Sequence, residues 1–442
     1  MSVFPAPVHR LLEGFLLWKG EFFLSMANEK LLYSHERRKY SMITLADIIK
    51  ARGVLNSIIH KTGLMTDNLL DETTGNRIFL KMENLQRTGS FKVRGAYNRI
   101  ANLTDAEKGK GVIAASAGNH AQGVALAAKA YGISATIVMP RYAPLSKIKA
   151  TRQLGANVIL EGEVYDDSFE AALKIQQETR ATFIHPFDDP LVIAGQGTIG
   201  LEILEDLPDV EVVVVPIGGG GLISGVAAAI KQSNPAIKVV GVQTRNVPSM
   251  FESMDQQKIV TVHGSATIAD GIAVKTPGQL TFDMVQQYVD EIVTVDEDEI
   301  SSAILFLLEK VKTVSEGAGA ASVAAVFNKL SHYQNKKIAV VVSGGNIDVN
   351  ILSRIVDQGL VKSGRKVYLD TIIPDKPGHL WKLLQLISST GVNILTINHK
   401  RDKRDVLIGF AQVEVEIETA DEEHIYTVKK LLEKNNYCTQ LC

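Results

Sequence analysis

Cysteine is almost missing from this chain of 442 residues. Cys438 and Cys442 lie at the very end with no histidine or cysteine cluster beside them, which excludes a disulfide framework and a zinc site alike. Such usage suits a reducing, cytoplasmic setting. An excess of charge of either sign is missing too. With a net charge of -2, 45% hydrophobic and 22% charged residues, nothing in bulk draws the chain to nucleic acid or to a membrane. No apolar run is clean enough to span a bilayer: the best, residues 11–24, carries Glu13, Lys19 and Glu21 and no small-residue cleavage site follows it. Residues 1–41, with the solvated run Glu36-Arg37-Arg38-Lys39, read as a poorly ordered extension or a short amphipathic partner helix, and Met42 opens the folded protein.

What is present is a long alternation of strand and helix, enough for two or three domains. Residues 43–58 repeat apolar positions at helical spacing, with Thr44 as an N-cap three residues before Asp47. Residues 77–81 read as a strand, and a helix runs from near Val93 to about Ile100. Strands at 111–115, 134–139 and 157–160 alternate with helices at 121–131 and 147–154, which makes two βαβ units and a smaller subdomain over about 112–186. Gly195-Gln196-Gly197-Thr198 is expected to open a further helix. The clearest strand, 212–217, runs through Gly218-Gly219-Gly220-Gly221 into a helix from about Leu222. Residues 296–311 are helical, and the small-residue helix beginning at Ser315-Glu316-Gly317-Ala318 reads as close packing. A last buried strand, 337–342, ends in Ser343-Gly344-Gly345-Asn346. Near Ser363 the pattern changes, and residues 366–442, including a strand at 406–417, read β-α-β-β-α-β, a ferredoxin-like module.

The chemistry centres on Ser90-Phe91-Lys92-Val93-Arg94-Gly95, between a turn at Arg87-Thr88-Gly89 and the start of a helix. A lysine amine is a poor nucleophile while protonated; desolvation or a nearby cation frees its lone pair to condense with a carbonyl. The carbonyl of that kind best known in proteins is pyridoxal phosphate. It also needs a phosphate cradle, a partner for its ring nitrogen, and donors for its phenolic oxygen and the substrate carboxylate. Four glycines before a helix let backbone N–H groups converge at the positive end of that helix, which suits phosphate, although a structural turn has the same letters. They do not fit G-x-G-x-x-G, the strand 239–243 ends without a ribose-binding acid, and no Gly-Lys-Ser/Thr closes a Walker A loop. Ser116-Ala117-Gly118-Asn119-His120 is a polar turn at the carboxyl end of a strand, where open α/β sheets bind ligands. Capping alone explains its composition. Equally, its N–H groups with Ser116 and Asn119 suit a carboxylate, and the Asn119 amide suits the phenolic oxygen. His120 is either a supporting or a core histidine. Ser343 is either a plain turn residue or a hydroxyl facing a pyridine nitrogen.

Taken in order, these stretches resemble the threonine dehydratases (threonine ammonia-lyases) among the pyridoxal-phosphate enzymes of the tryptophan-synthase-β type, over about residues 43–361. The resemblance implies an α/β, fold-type II catalytic domain with two open parallel-sheet subdomains over 42–362. The tail, 366–442, with Asp375-Lys376-Pro377-Gly378-His379-Leu380, is similar to one ACT domain, a regulatory amino-acid-binding module of ferredoxin-like α+β fold. Pyridoxal 5'-phosphate is then held by Lys92, Phe91, Asn119, Gly218, Gly219, Gly220, Gly221 and Ser343. Substrate is held at Ser116, Ala117, Gly118, Asn119 and His120, and Lys92 is the catalytic residue. The implied reaction turns L-threonine into 2-oxobutanoate and ammonia, and L-serine into pyruvate, in isoleucine biosynthesis or threonine catabolism. Effectors implied are an amino acid at Gly378, His379 and Asn393, with a purely structural assembly role for that module as the alternative, and AMP near Arg87 and Thr88. A homotetramer is the family expectation, then a homodimer. Two departures matter. Ala117 stands where racemase relatives carry a serine acid/base, and Gln243 where cation-binding relatives carry a glutamate, so weak racemisation and no metal site are expected. Ser343 implies a neutral pyridine and a weaker electron sink, which favours elimination over transamination. The alternatives are a serine-preferring dehydratase of the same fold, and a non-catalytic sensor built on 366–442, against which intact Lys92 and Ser343 argue.

Overall fold

The computed structural model describes residues 42–441, so the expectation for residues 1–41 lies outside it. The strands of the described chain are β1 Leu64–Met65, β2 Arg77–Lys81, β3 Val112–Ala115, β4 Ala135–Met139, β5 Asn157–Leu160, β6 Thr182–Phe183 and β7 Val212–Pro216; then β8 Lys238–Thr244, β9 Glu291–Val295, β10 Lys337–Val341, β11 Lys366–Pro374, β12 Asn393–Lys400, β13 Phe410–Glu418 and β14 Thr439–Leu441. They form three sheets, ordered β1-β2-β10-β7-β8-β9, β5-β4-β3-β6 and β12-β13-β11-β14. All pairs of the first sheet except β1–β2 are parallel, and the second is parallel throughout. The sequences follow from that: β7 reads Val-Val-Val-Val-Pro and is buried along its whole length, as a parallel strand covered on both faces must be.

The small sheet has a core of its own, to which Leu55, Ala96, Tyr97 and Ile100 contribute from before β3. The helix Lys92–Ala101 packs against both Asn119–Ala130 and Pro190–Asp206 and so joins the two parallel sheets. Gly195-Gln196-Gly197-Thr198 lies inside the helix Pro190–Asp206 rather than at its start. Asp189 accepts from the N–H groups of Leu191 and Val192, and Pro190 takes the first position, the stronger start signal. Close approach explains the glycines: a Cβ on Gly197 would stand 2.8 Å from the Gly225 carbonyl on the helix Gly221–Ser233. Two residues beyond Lys92, Arg94 joins a buried ion cluster. Arg94 bonds Glu83 through Nε and Nη2 at 2.8 and 2.7 Å and Glu202 through Nη1 and Nη2 at 2.6 and 2.9 Å, while Lys81 bonds Glu202 at 2.6 Å.

The helix Val349–Lys362 leads to the C-terminal module, where β11 alternates buried and open positions, as expected for an antiparallel sheet covered on one face. The helices His379–Ser389 and Glu422–Lys434 cover it, with Leu383, Ile387, Val428 and Leu432 packed on Leu369, Val413 and Val415. The order is β-α-β-β-α-β. The strand expected from residue 406 begins at Phe410 instead, and Leu407 and Ile408 stand exposed in the hairpin before it.

Candidate active site

Because β2, β10 and β7 are parallel neighbours, their carboxyl ends open on one edge, and the sequence motifs meet there. The Phe91 N–H donates to the Ser343 carbonyl at 3.1 Å, the Gly345 N–H to the Gly89 carbonyl at 2.9 Å, and Ser90 bridges Gly344. Across from them, β3 delivers Ser116–His120 and the helix Asn119–Ala130. No side chain caps that helix, so its first N–H groups are not consumed by a side-chain cap and suit an anion.

Lys92 is half-buried and its Nζ donates to the Pro186 carbonyl at 2.9 Å. Desolvation pulls the amine down to about 8, against an opposing pull from Glu316. The Phe91 ring centroid lies 5.3 Å from the same nitrogen. Two histidines nearby are held neutral by burial, His120 at about 3 and His185 at about 4, with the Lys92 charge lowering both further. His120 Nε2 meets the Ile184 carbonyl at 2.8 Å. A carbonyl only accepts, so the hydrogen is on Nε2, and Nδ1 is a bare acceptor without a partner among the described residues. His120 is therefore a core histidine on one side and an unpartnered acceptor on the other.

Two residues absent from the expected set complete the cluster. Glu316, nearly buried, accepts from Asn119 Nδ2 at 2.6 Å. Asn346 Nδ2 donates to Asn119 Oδ1 and to the Thr88 carbonyl, both at 2.7 Å. Thr88 has a left-handed backbone, with φ 63, and this bond helps to hold it. The small-residue helix Gly317–Asn328 disguised Glu316; the available signal was a lone acid in an otherwise apolar stretch. Burial pushes the Glu316 carboxyl up to about 7, helped by Asp270 and opposed by Asn119, Lys147 and Lys92.

The glycine run forms a walled cup. A Cβ on Gly219 would lie 2.5 Å from the Phe187 ring, and one on Gly220 2.7 Å from Thr281, where φ is also +98. Thr281 Oγ1 donates to the Gly219 carbonyl at 2.6 Å, and no side chain caps the helix Gly221–Ser233. Ser343 is buried, with Oγ donating to the Ala318 carbonyl at 3.3 Å. Gln243 is also buried and accepts from the Phe251 N–H at 2.8 Å; no group of three His, Cys, Asp or Glu side chains among the described residues could hold a metal ion. Gly378, His379 and Asn393 belong to the C-terminal module, where Gly378 caps a helix with φ 87 and Asn393 is exposed beside Glu418. Arg87 is exposed on the loop before Lys92.

A desolvated amine, a glycine cup at an uncapped helix start and a buried hydroxyl fit pyridoxal phosphate. The chain belongs to the family of pyridoxal-phosphate dependent enzymes, whose model matches residues 55–344. Its cofactor is pyridoxal phosphate, and its fold is the fold-type II arrangement of that family, with an ACT-like module after it. Within the family, the chain is 60% identical over 396 residues to the L-threonine ammonia-lyase of Thermotoga maritima, covering 90% of this chain and 98% of that protein. It is 50% identical to the catabolic L-threonine dehydratase of Escherichia coli, over 71% of this chain and 96% of that one. Among solved structures, processed threonine deaminase isoform 2 of Solanum lycopersicum is similar with a TM-score of 0.69 and 39% identity, covering 72% of this chain and 87% of that chain.

Proposed function

We propose that the chain converts L-threonine to 2-oxobutanoate and ammonia by β-elimination. The observation that carries the proposal is Lys92, an amine held by Pro186 and lowered to about 8 by burial, set among Asn119, the glycine cup and Ser343. Identity of 60% to an L-threonine ammonia-lyase over most of the chain supports the substrate.

Bound here, pyridoxal phosphate would supply a carbonyl for the substrate amine and a ring that spreads the negative charge left at Cα. Gly218, Gly219, Gly220 and Gly221 would hold the phosphate, Asn119 the ring oxygen and, once its hydroxyl turns from the Ala318 carbonyl, Ser343 the ring nitrogen, with Phe91 beside the lysine. Ser116–His120 receive the substrate carboxylate at the helix start. Lys92 Nζ, as the free amine, takes the proton from Cα. A lysine lowered to about 8 is suited to this, because a substantial fraction is neutral near physiological pH. The β-hydroxyl leaves as water, its added proton balanced by the one Lys92 took from Cα, and one water returns when the released enamine tautomerises and hydrolyses. One threonine thus gives one 2-oxobutanoate and one ammonia.

The remaining assignments belong to the same proposal. Residues 366–442 are a regulatory ACT domain that takes an amino acid at Gly378, His379 and Asn393, while AMP binds near Arg87 and Thr88. The assembly is a homotetramer or homodimer working in the cytoplasm. The test is the absorbance of purified protein before and after threonine, with 2-oxo acid formation followed in parallel and serine as the competing substrate. Lys92→Ala is expected to lose both the spectral response and turnover. Threonine turnover at the parental rate in that variant refutes the scheme.

A further inference from the structure

The Asn119 amide is tied at both ends by residues that the reaction scheme leaves without a role. Its Oδ1 accepts from Asn346 at 2.7 Å, and one hydrogen of Nδ2 goes to Glu316 Oε1 at 2.6 Å. The two bonds fix which end of the amide is the donor and leave one N–H unspent. Glu316 is itself held in place: its N–H donates to the Gly344 carbonyl at 3.1 Å, and its Oε1 lies 2.2 Å from where a Cβ on Gly344 would stand. Any side chain at 344 would expel the carboxyl.

We infer that Glu316 is a positioning residue that, with Asn346, clamps the Asn119 amide so that its remaining N–H is committed to the cofactor's ring oxygen. The inference rests on the assignment of this cluster as the pyridoxal-phosphate site and adds a residue to it. The clamp holds in both charge states of the carboxyl, because Oε1 accepts either way. Only the charge differs. Three charged groups face Glu316 from the elements around it: Lys92 on the helix Lys92–Ala101, Lys147 on the helix Leu145–Gln153, and Asp270 on the turn Asp270–Ile272. Burial and Asp270 push the carboxyl up to about 7, so it changes charge in the working range of pH. The ring oxygen is linked to that change through the Asn119 N–H, so the spectrum of the bound cofactor is expected to step as the carboxyl titrates.

The test uses the full chain and pyridoxal phosphate without substrate, so it stands apart from whether threonine is the substrate. Cofactor affinity and the absorbance of the bound cofactor are followed against pH for the parental protein, Glu316→Ala and Glu316→Gln. The thermal transition of the cofactor-free proteins controls for folding. Glu316→Ala frees the amide and is expected to weaken cofactor binding about tenfold, one hydrogen bond to a positioned donor. Glu316→Gln keeps an acceptor and is expected to bind the cofactor within about threefold of the parental protein, but to lose the spectral step near neutral pH. Parental affinity in Glu316→Ala, or a spectral step that survives in Glu316→Gln, overturns the inference.

Discussion

Replacing Arg94 by methionine should destabilise the protein by about 3–5 kcal/mol. Arg94 lies two residues beyond Lys92 on the same helix and is fully buried, with Glu83 fully buried and Glu202 nearly so. In the parental protein Arg94 and Lys81 balance Glu83 and Glu202, and Thr198 adds a fifth bond to the guanidinium at 3.1 Å. Without the guanidinium, two carboxylates share one ammonium. Breaking a buried pair in this way costs about 3–5 kcal/mol, because the remaining charge is left uncompensated. The pH dependence gives the second signature. Burial pushes Glu83 up, but Arg94, Thr62 and Lys81 together hold it below the usual carboxylate range. In the parental protein this stabilisation is present above the unfolded value and is lost as pH falls through the folded one. In the variant burial dominates, Glu83 rises above its unfolded value, and acid relieves the penalty by protonating it. Denaturant unfolding followed by circular dichroism at about pH 7.5 and about pH 5.5 should therefore show a smaller gap at the lower pH. A gap below about 1 kcal/mol at the higher pH, or one that does not change with pH, refutes the reasoning.

Gly219→Ala places a methyl 2.5 Å from the Phe187 ring and should weaken pyridoxal-phosphate binding by at least about tenfold, measured by equilibrium titration. Phe187→Leu in the same chain should recover part of that loss. Because only the neutral amine adds to a carbonyl, the rate at which cofactor-free protein takes up pyridoxal phosphate should climb with pH and level off past about 8, where Lys92 titrates; an uptake rate still rising steeply well above that value contradicts the lowered amine. Asp270→Asn removes a negative charge that pushes Glu316 up, so the spectral step of the bound cofactor should move to lower pH. A step that stays in place or moves upward tells against the electrostatic link.

The local architecture was legible because it depends on neighbours in sequence. Valines in a row before four glycines specify a buried strand and an uncapped helix start, and Thr44 with Asp47 forms the capping box their spacing predicts. The period-two pattern of β11 and the amphipathic Glu422–Lys434 likewise mark the C-terminal module from their letters alone. The site residues that were missed depend on partners far along the chain. Asn119 meets Glu316 across 197 positions and Asn346 across 227. Those pairs exist because β10 inserts between β2 and β7, bringing three strand ends to one edge, and no local pattern encodes strand order. The Pro186 carbonyl that holds Lys92 has no side-chain signature at all, since every residue carries a carbonyl. Glycines 195 and 197 looked like a helix start and proved to be a helix crossing, because the space available to a Cβ is a property of the neighbouring helix. Sequence alone thus determined which chemistry the chain can carry. The tertiary structure decided which charges are buried, which donors remain unspent and how far Lys92 and Glu316 depart from their ordinary acidities, because desolvation and long-range pairing arise only when distant segments meet.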